Sequence, residues 1–331
     1  MQEPIPVLDL PHRRARALLR SGAPVFLSID PVEYHGPHLS LRNDHLVSTG
    51  LSRRLAAALA AAHPDGADWP FLLASTLDAG VDPTRGAGSR PVGFRALCEL
   101  VVGACDALAD LGARRVVLMT FHGAPLHSIA LHRGTERLLA RGVRALAPLN
   151  LLLSDVATLP PAPFARALVH VPEPDRAEML TFLRHDFHAG FMETSFALAL
   201  APQSVDPVYR DLPDCPPITP DARLERAART AERFGRTQLA AELRVAAWGV
   251  GWSKLRPFPG YTGRPRYATA EAGEVFVDYA VKRALRCALE VFDGAPPPPP
   301  PMPWMERLTL GGRIPGLDVP LDAVADLAPF G

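Results

Sequence analysis

The stretch EYHGPHLSLRND, residues 33–44, closely follows an apolar run, residues 24–29, that is typical of a buried strand. It places Glu33, His35 and Asp44 on one short loop. Ordinary loops turn on Gly, Pro, Asn and Asp, and they have no need of imidazoles beside carboxylates. Nitrogen and oxygen donors of these kinds suit a divalent metal ion. The stretch therefore predicts one part of a metal site at the end of a strand.

Segments with the pattern of strands alternate along the chain with segments that have the pattern of helices. We predict strands at residues 24–29, 70–75 and 115–120, and a fourth at Leu151–Leu153. We predict helices from Asn43–Asp44 to residue 63, at 93–111, at 126–141, within 185–200, near 219–243 and at 268–291. This alternation is typical of an α/β fold, in which helices cover both faces of a mostly parallel central sheet.

Further side chains with metal-binding or catalytic chemistry fall in two other places. His122 comes just after the predicted strand at 115–120, and His188 and Glu193 lie where a loop enters a helix. Parallel sheets bind ligands in the crevice beyond the carboxyl ends of their strands, so the loops at 33–44 and 120–125 are expected to meet there. The candidates named so far are three carboxylates and three imidazoles. That is the inventory of a two-metal hydrolytic site with one imidazole left for proton transfer.

Composition excludes several classes of function. The chain has 331 residues, of which 48% are hydrophobic and 21% charged, and its formal net charge is zero, so no basic surface for nucleic acid or a membrane is expected. No apolar run is long enough to span a bilayer, and the first residues do not have the pattern of a signal peptide. Its 4 cysteines are widely spaced and predict neither disulfides nor a thiolate zinc site. A cytoplasmic protein with a small-molecule or short-peptide substrate is expected.

These stretches resemble the motifs of the creatininase family of amidohydrolases. The first family motif reads roughly E-Q-H-G-P-H-L-P followed by Asp, and here Glu33–Ser40 is followed by Asp44. The second, N-G-H-G-G-N, is similar to Thr120–Pro125, and the third, H-A-G-x-x-E-T-S, matches His188–Ser195 in full. A late motif, G-x-x-G-x-P-x-x-A-T-x-x-x-G, is similar to Gly260–Gly273. The resemblance spans about residues 20–290.

The resemblance implies a three-layer α/β/α fold, often assembled into a homohexamer. It implies two divalent ions (Zn, Mn or Fe), with Asp44 bridging them. The ligands that it implies are Glu33, His35, Asp44 and His122, and Glu193 would supply another carboxylate. His188 would lie beside the water or the substrate and move protons. The implied reaction is hydrolysis of a C–N bond in an amide, cyclic amide or formamide by a metal-activated hydroxide.

The chain departs from the family at two places. Ala124 stands where creatinine-hydrolysing members carry a metal-binding Glu. Those members also carry a Trp shortly before the third motif, where this chain has residues 184–187, Arg-His-Asp-Phe. The wall of the pocket therefore differs, and creatinine is not the expected substrate.

Each candidate ligand also has a purely structural interpretation. Asp44 is a favoured residue for a helix N-cap, and Glu193 is favoured near a helix start by the helix dipole. His122 has the position of a hydrogen-bonded core histidine. His38, in the first motif, is interpreted as a support for the ligands rather than as a ligand.

Three functions follow from these observations. The first is a metal-dependent hydrolase acting on a C–N bond. A second is a family peptidase that trims a modified peptide during maturation of a redox cofactor. The third is a catalytically impaired protein that keeps the fold for assembly. We expect residues 1–291 to form the hydrolase domain and residues 292–331 to form a proline-rich strap or tail.

Overall fold

The computed structural model describes residues 3–158, 162–314 and 319–324. Its centre is a five-stranded sheet with the strand order β1-β3-β2-β4-β5, and every pair of neighbouring strands is parallel. The strands are β1 (Ile5–Pro6), β2 (Val25–Asp30), β3 (Leu72–Asp78), β4 (Arg115–Met119) and β5 (Arg144–Leu146). The sheet confirms the predicted α/β class.

The described chain is mostly helical. The helices are α1 (His12–Arg20), α2 (Asn43–Ala62), α3 (Phe94–Leu111), α4 (Pro125–Ala140), α5 (Pro148–Thr158), α6 (Asp175–Phe182), α7 (Phe191–Leu200), α8 (Ala222–Arg233), α9 (Thr237–Ser253), α10 (Ala270–Phe292) and α11 (Met305–Leu308). α3 and α4 pack together, and α2 packs with α7 and α10. The helices thus form a layer on each face of the sheet.

The central strand β2 explains why the sheet sits in the core. All its residues are buried, as expected for a parallel strand covered on both faces. The chain moves from β2 to β3 on one side through α2, and then crosses back to β4 on the other side through α3. Since such crossovers are right-handed, α2 and α3 lie on opposite faces. The loops that leave β2 and β4 therefore diverge, and they leave a crevice between them.

Two predicted elements are wrong. Leu151–Leu153 lies in α5 rather than in a strand. The strand that follows β4 is β5, which ends at Leu146. A short apolar run fits a helix as well as a strand, and Pro148 at its start favours a helix. The single helix predicted near 219–243 is two helices, α8 and α9. Between them Gly235 has φ +69°, a left-handed conformation that ends a helix.

Asn43–Asp44 does not cap its helix. α2 begins at Asn43 itself, and Arg42 holds the N-cap position without a side-chain hydrogen bond. The Asp44 carboxylate instead faces inward, and its residue is 1% exposed. Within the part of the chain that the structure describes, no helix is long and apolar enough to cross a membrane.

Candidate metal centre

The crevice between β2 and β4 gathers all the predicted site residues. Glu33 and His35 come from the loop after β2, and His122 comes from the loop after β4. Asp44 lies in the first turn of α2. His188 and Glu193 precede and begin α7 and are also buried. Residues far apart in the sequence therefore form one cluster, named here the acid–histidine cluster: Glu33, His35, Asp44, His122, His188 and Glu193.

Distances within the acid–histidine cluster are those of groups that share one small space. His35 Nε2 lies 3.1 Å from Asp44 Oδ1 and 3.9 Å from Glu193 Oε2. His122 Nδ1 lies 2.7 Å from Glu33 Oε2 and 3.6 Å from Asp44 Oδ2. Two overlapping groups have donor atoms all within 4.8 Å of one another: His35, His188 and Glu193 in one, and Glu33, His35 and Asp44 in the other.

The imidazoles share one hydrogen-bonding arrangement. His35 donates from Nδ1 to the Glu33 carbonyl oxygen at 3.1 Å. His122 donates from Nε2 to the Val81 carbonyl oxygen, and His188 donates from Nε2 to the Tyr34 carbonyl oxygen, both at 2.9 Å. Each ring thereby turns its other nitrogen toward the carboxylates, and His35 Nε2 donates to Asp44 Oδ1 when it is protonated. A backbone carbonyl that fixes the tautomer in this way is the usual support of a metal-binding histidine.

Two carboxylate oxygens of the acid–histidine cluster are left over. Within the described chain, Glu33 Oε2 and Asp44 Oδ2 are fully buried and accept no hydrogen bond. His122 Nδ1 lies 2.7 Å from Glu33 Oε2 and is its ion-pair partner when the imidazole is protonated. A buried carboxylate oxygen that accepts no hydrogen bond is costly, and a cation compensates it.

The pKa values of the acid–histidine cluster also indicate a site that attracts cations. Burial raises the pKa of Glu193 to about 8, although His35 opposes the shift. Burial alone would lower the pKa of His35, but Asp44 and Glu33 outweigh it and raise that pKa to about 10. Burial is likewise outweighed at His122, whose pKa Glu33 raises to about 9. The carboxylates thus attract protons onto the imidazoles, as they would attract a cation. The residues present therefore fit divalent ions, whose ligands would be these carboxylates and imidazoles.

His188 differs from the other two imidazoles in its charge balance. Burial lowers its pKa to about 3, and repulsion from His35 adds to the effect. Its Nδ1 lies 3.8 Å from Glu33 Oε1, and its ring stacks on His35 with centroids 4.5 Å apart. His188 is therefore neutral at neutral pH, and its Nδ1 presents a lone pair to the centre of the acid–histidine cluster.

Supporting residues hold the acid–histidine cluster in place. His38 Nε2 lies 2.9 Å from Thr194 Oγ1, which fits the support role expected from sequence. The Ala189 N–H donates to Glu193 Oε2 at 2.6 Å, and Ala189 takes a left-handed φ of +46°. This strained turn orients His188 and Glu193 together.

Sequence reasoning missed two further supports. Asp30, at the end of β2, accepts from the Phe121 N–H at 3.0 Å and from Ser48 Oγ at 2.7 Å. It thereby ties β2 to α2 and to the loop that carries His122. Thr262 hydrogen-bonds the backbone of His188 through its own N–H at 2.8 Å. A buried Asp ending an apolar strand was visible in the sequence as a signal, whereas the contact of Thr262 depends on folding.

Ala124 lines the cavity above the acid–histidine cluster, together with Phe187. Both positions are those at which the sequence departs from creatinine-hydrolysing proteins. Neither side chain offers a metal ligand.

Comparisons with known proteins agree with this fold. A family model described as creatinine amidohydrolase, the creatininase family, matches residues 9–288. A search of curated proteins by sequence finds no match. Among solved structures, one named "Creatininase Mn" is 21% identical, covers 88% of this chain and 99% of its own, and has a TM-score of 0.59.

Two further solved structures are similar to the same extent. A creatinine amidohydrolase (creatininase) is 21% identical over 87% of this chain and 98% of its own, with a TM-score of 0.58. A creatininase mutant named as a "Zn-Zn type" is 20% identical over 87% of this chain and 99% of its own, with a TM-score of 0.57. At this identity the structures show the fold, and the family model shows the family. The chain belongs to the creatininase family and has the three-layer α/β/α fold of a metal-dependent amidohydrolase.

Proposed function

We propose that the protein hydrolyses a C–N bond of an amide, cyclic amide or formamide at the acid–histidine cluster, with two divalent ions (Zn, Mn or Fe) as cofactors. One observation carries the proposal. Buried carboxylates and imidazoles from three separate stretches of sequence meet in one space, and two of the carboxylate oxygens there accept no hydrogen bond within the described chain. A purely structural polar cluster would be expected to satisfy those oxygens.

Roles for the ligands follow from the contacts. Glu33 and His122 lie on one side of Asp44, and His35 and Glu193 lie on the other. Asp44 would therefore serve both ions, and each ion would take one imidazole and one further carboxylate. A divalent ion held there would lower the pKa of a bound water and polarise a carbonyl oxygen.

His188 is the proposed proton carrier. Hydrolysis of an amide requires a base for the water proton and an acid for the leaving nitrogen, because an amide anion is too basic to depart. His188 Nδ1 faces the centre of the cluster, 3.8 Å from Glu33 Oε1, so its position allows it to accept the first proton. The Tyr34 carbonyl holds Nε2–H and thereby keeps Nδ1 directed at the reacting groups. Protonated at Nδ1, the same ring would then donate to the leaving nitrogen.

The residues that line the cavity narrow the class of substrate. Ala124 and Phe187 give no reason to propose creatinine. A short peptide offers the same kind of bond, so a peptidase that trims a precursor peptide remains a second form of the proposal. The size of the cavity, about 270 Å³, favours it over the smallest amides.

The test is to offer the protein a panel of formamides, cyclic amides and dipeptides and to measure hydrolysis as the release of amine. We expect activity that a chelator abolishes and added Zn²⁺ or Mn²⁺ restores. His188→Ala should lower turnover roughly 10²–10⁴-fold, the usual share of general acid–base catalysis, and leave the bound metal unchanged.

A matched control for His188→Ala is His185→Ala. His185 stacks on Trp248 at 4.0 Å outside the acid–histidine cluster, and its loss should leave turnover near wild type. Full activity of His188→Ala on a substrate that the wild type cleaves would refute the proton-carrier role. Loss of metal in the same variant would show that His188 is a ligand instead.

A further inference from the structure

A cavity of about 270 Å³ begins at the acid–histidine cluster and extends away from it. Beyond the cluster its walls are largely apolar. α9 contributes Val245 and Trp252, and the segment after α10 contributes Met302 and Met305. Trp252 also lies against His188, with ring centroids 5.2 Å apart. The apolar space is therefore continuous with the place where the scissile bond is proposed to lie.

Polar side chains in this part of the cavity are already engaged or face solvent. Both carboxylate oxygens of Glu242 accept hydrogen bonds, one from Trp304 Nε1 at 2.9 Å and one from Gln238 Nε2 at 3.2 Å. Arg184 is exposed at the cavity. The inner wall thus offers few free polar partners to a ligand, and burial of apolar surface is the interaction that it can supply.

Gly249 indicates that the space is kept open. A glycine inside a helix is less favourable than alanine, so its presence calls for a reason. Gly251, two residues further along α9, has such a reason, because a Cβ there would lie 2.3 Å from the Thr219 carbonyl oxygen. At Gly249 a Cβ would meet no heavy atom of the described structure within 4 Å beyond its own helix. Gly249 lines the cavity, so a side chain there would occupy the cavity itself.

The wall that faces α9 lies outside the part of the chain that matches the family. The match ends at residue 288, whereas Met302, Trp304 and Met305 follow it. Trp304 is held by Glu242, and Glu306 pairs with Arg133 of α4. The segment is therefore anchored on two sides and closes the cavity with residues that the family model does not include.

We propose that this cavity binds a bulky apolar group of the substrate, so that the bond cleaved belongs to an amide with an aromatic or branched aliphatic substituent. The inference rests on the proposed function, because it takes the scissile bond to lie at the acid–histidine cluster. It goes beyond that function in assigning the substituent to the space between α9 and the segment after α10.

The test uses hydroxamates, which chelate a bound divalent ion through two oxygens and differ only in the group attached. Acetohydroxamate and phenylacetohydroxamate are titrated into the metal-loaded full chain by calorimetry. Phenylacetohydroxamate should bind roughly 10–100-fold more tightly, since one buried apolar group is worth about that much. A hydroxamate of similar length that ends in a carboxylate should show no such gain.

Gly249→Ala and Gly249→Leu then fill the cavity in steps. The larger side chain should remove most of the gain for phenylacetohydroxamate and leave acetohydroxamate within a few-fold of wild type. Gly103→Ala and Gly103→Leu are matched controls, because Gly103 is an exposed helical glycine in α3 whose Cβ would also meet nothing. Circular dichroism checks that each variant is folded.

The outcomes separate the two proposals. If acetohydroxamate fails to bind the metal-loaded protein, the metal centre is wrong and the inference falls with it. If acetohydroxamate binds but the phenyl group adds no affinity, the metal centre stands and the apolar pocket is wrong. If the phenyl group adds affinity that the Gly249 variants do not reduce, the apolar group binds elsewhere and the assignment to this cavity is wrong.

Discussion

At the scale of single residues, the acid–histidine cluster is organised by backbone carbonyls. His35, His122 and His188 each donate one ring N–H to a carbonyl oxygen, so the other nitrogen of each ring points to the same space. A core histidine needs only that its nitrogens be satisfied. Here the nitrogens opposite the carbonyls face carboxylates, two of whose oxygens are unsatisfied within the described chain. This arrangement favours ligands over the core-histidine interpretation of His122.

The most specific prediction about a single residue concerns Asp44 and metal binding. Asp44→Ala should empty at least one of the proposed metal sites, because its carboxylate lies between the two groups of ligands. Metal content after dialysis measures the effect. Asp78→Ala is the control, since Asp78 pairs with Arg42 at the surface and should keep both ions. If Asp44→Ala retained both ions, Asp44 would be a structural residue only.

Metal affinity should rise with pH. Protons and metal ions compete for the same lone pairs, and the pKa values of His35 and His122 are raised to about 10 and about 9 without metal. Both imidazoles are therefore protonated at neutral pH and must release a proton on binding. The apparent affinity should increase by up to about tenfold per pH unit for each proton released, between roughly pH 6 and pH 9. Calorimetry in buffers of different ionisation enthalpy counts the protons, and a pH-independent affinity would contradict these ligands.

At the scale of elements, the site depends on the divergence of the loops after β2 and β4. Both strands were predicted from their apolar runs, and so was the meeting of their loops. The strand predicted at Leu151–Leu153 could not be told from α5, because a short apolar run has no distinguishing period. The break between α8 and α9 depends on the left-handed conformation of Gly235. Many glycines do not adopt this conformation, so the residue type alone did not predict the break.

Asp30 should stabilise this arrangement of elements as a hydrogen-bond acceptor rather than as a charge. Burial first, and then Asp44, raise its pKa to about 7, so at neutral pH the carboxyl group is about half protonated. Asp30→Ala leaves the Phe121 N–H buried without its acceptor and should lower the free energy of unfolding by about 1–3 kcal/mol. Asp30→Asn keeps an acceptor oxygen and should cost less than about 1 kcal/mol. Urea unfolding of the chelator-treated proteins compares them, and equal losses would contradict the acceptor role.

At the scale of the whole molecule, the sequence predicted the acid–histidine cluster better than the cavity above it. Glu33, His35 and Asp44 lie within one loop, so their pattern was visible locally. The apolar wall comes from α9 and from the segment around Met302–Met305, which are brought together only by folding. We propose to keep residues 292–331 as a separate C-terminal segment, because its described part packs on α4 and α9 rather than extending the sheet.

We also propose that the chain forms a homo-oligomer, with a hexamer as the form that the family resemblance implies. The proposal concerns the assembly and does not affect the roles given to the cluster. Light scattering at micromolar concentration should give a multiple of the chain mass of 35.7 kDa. A mass equal to that of one chain would contradict the proposal.

The central claim is that the acid–histidine cluster holds divalent metal, and metal content tests it most directly. The purified full chain is analysed by elemental mass spectrometry after expression in medium with added Zn²⁺, Mn²⁺ and Fe²⁺, beside Asp44→Ala and the Asp78→Ala control. The account predicts about two ions per chain for the wild type and the control, and fewer for Asp44→Ala. A wild-type protein that holds none after supplementation would contradict the claim, and the catalytically impaired assembly protein would then be the better description.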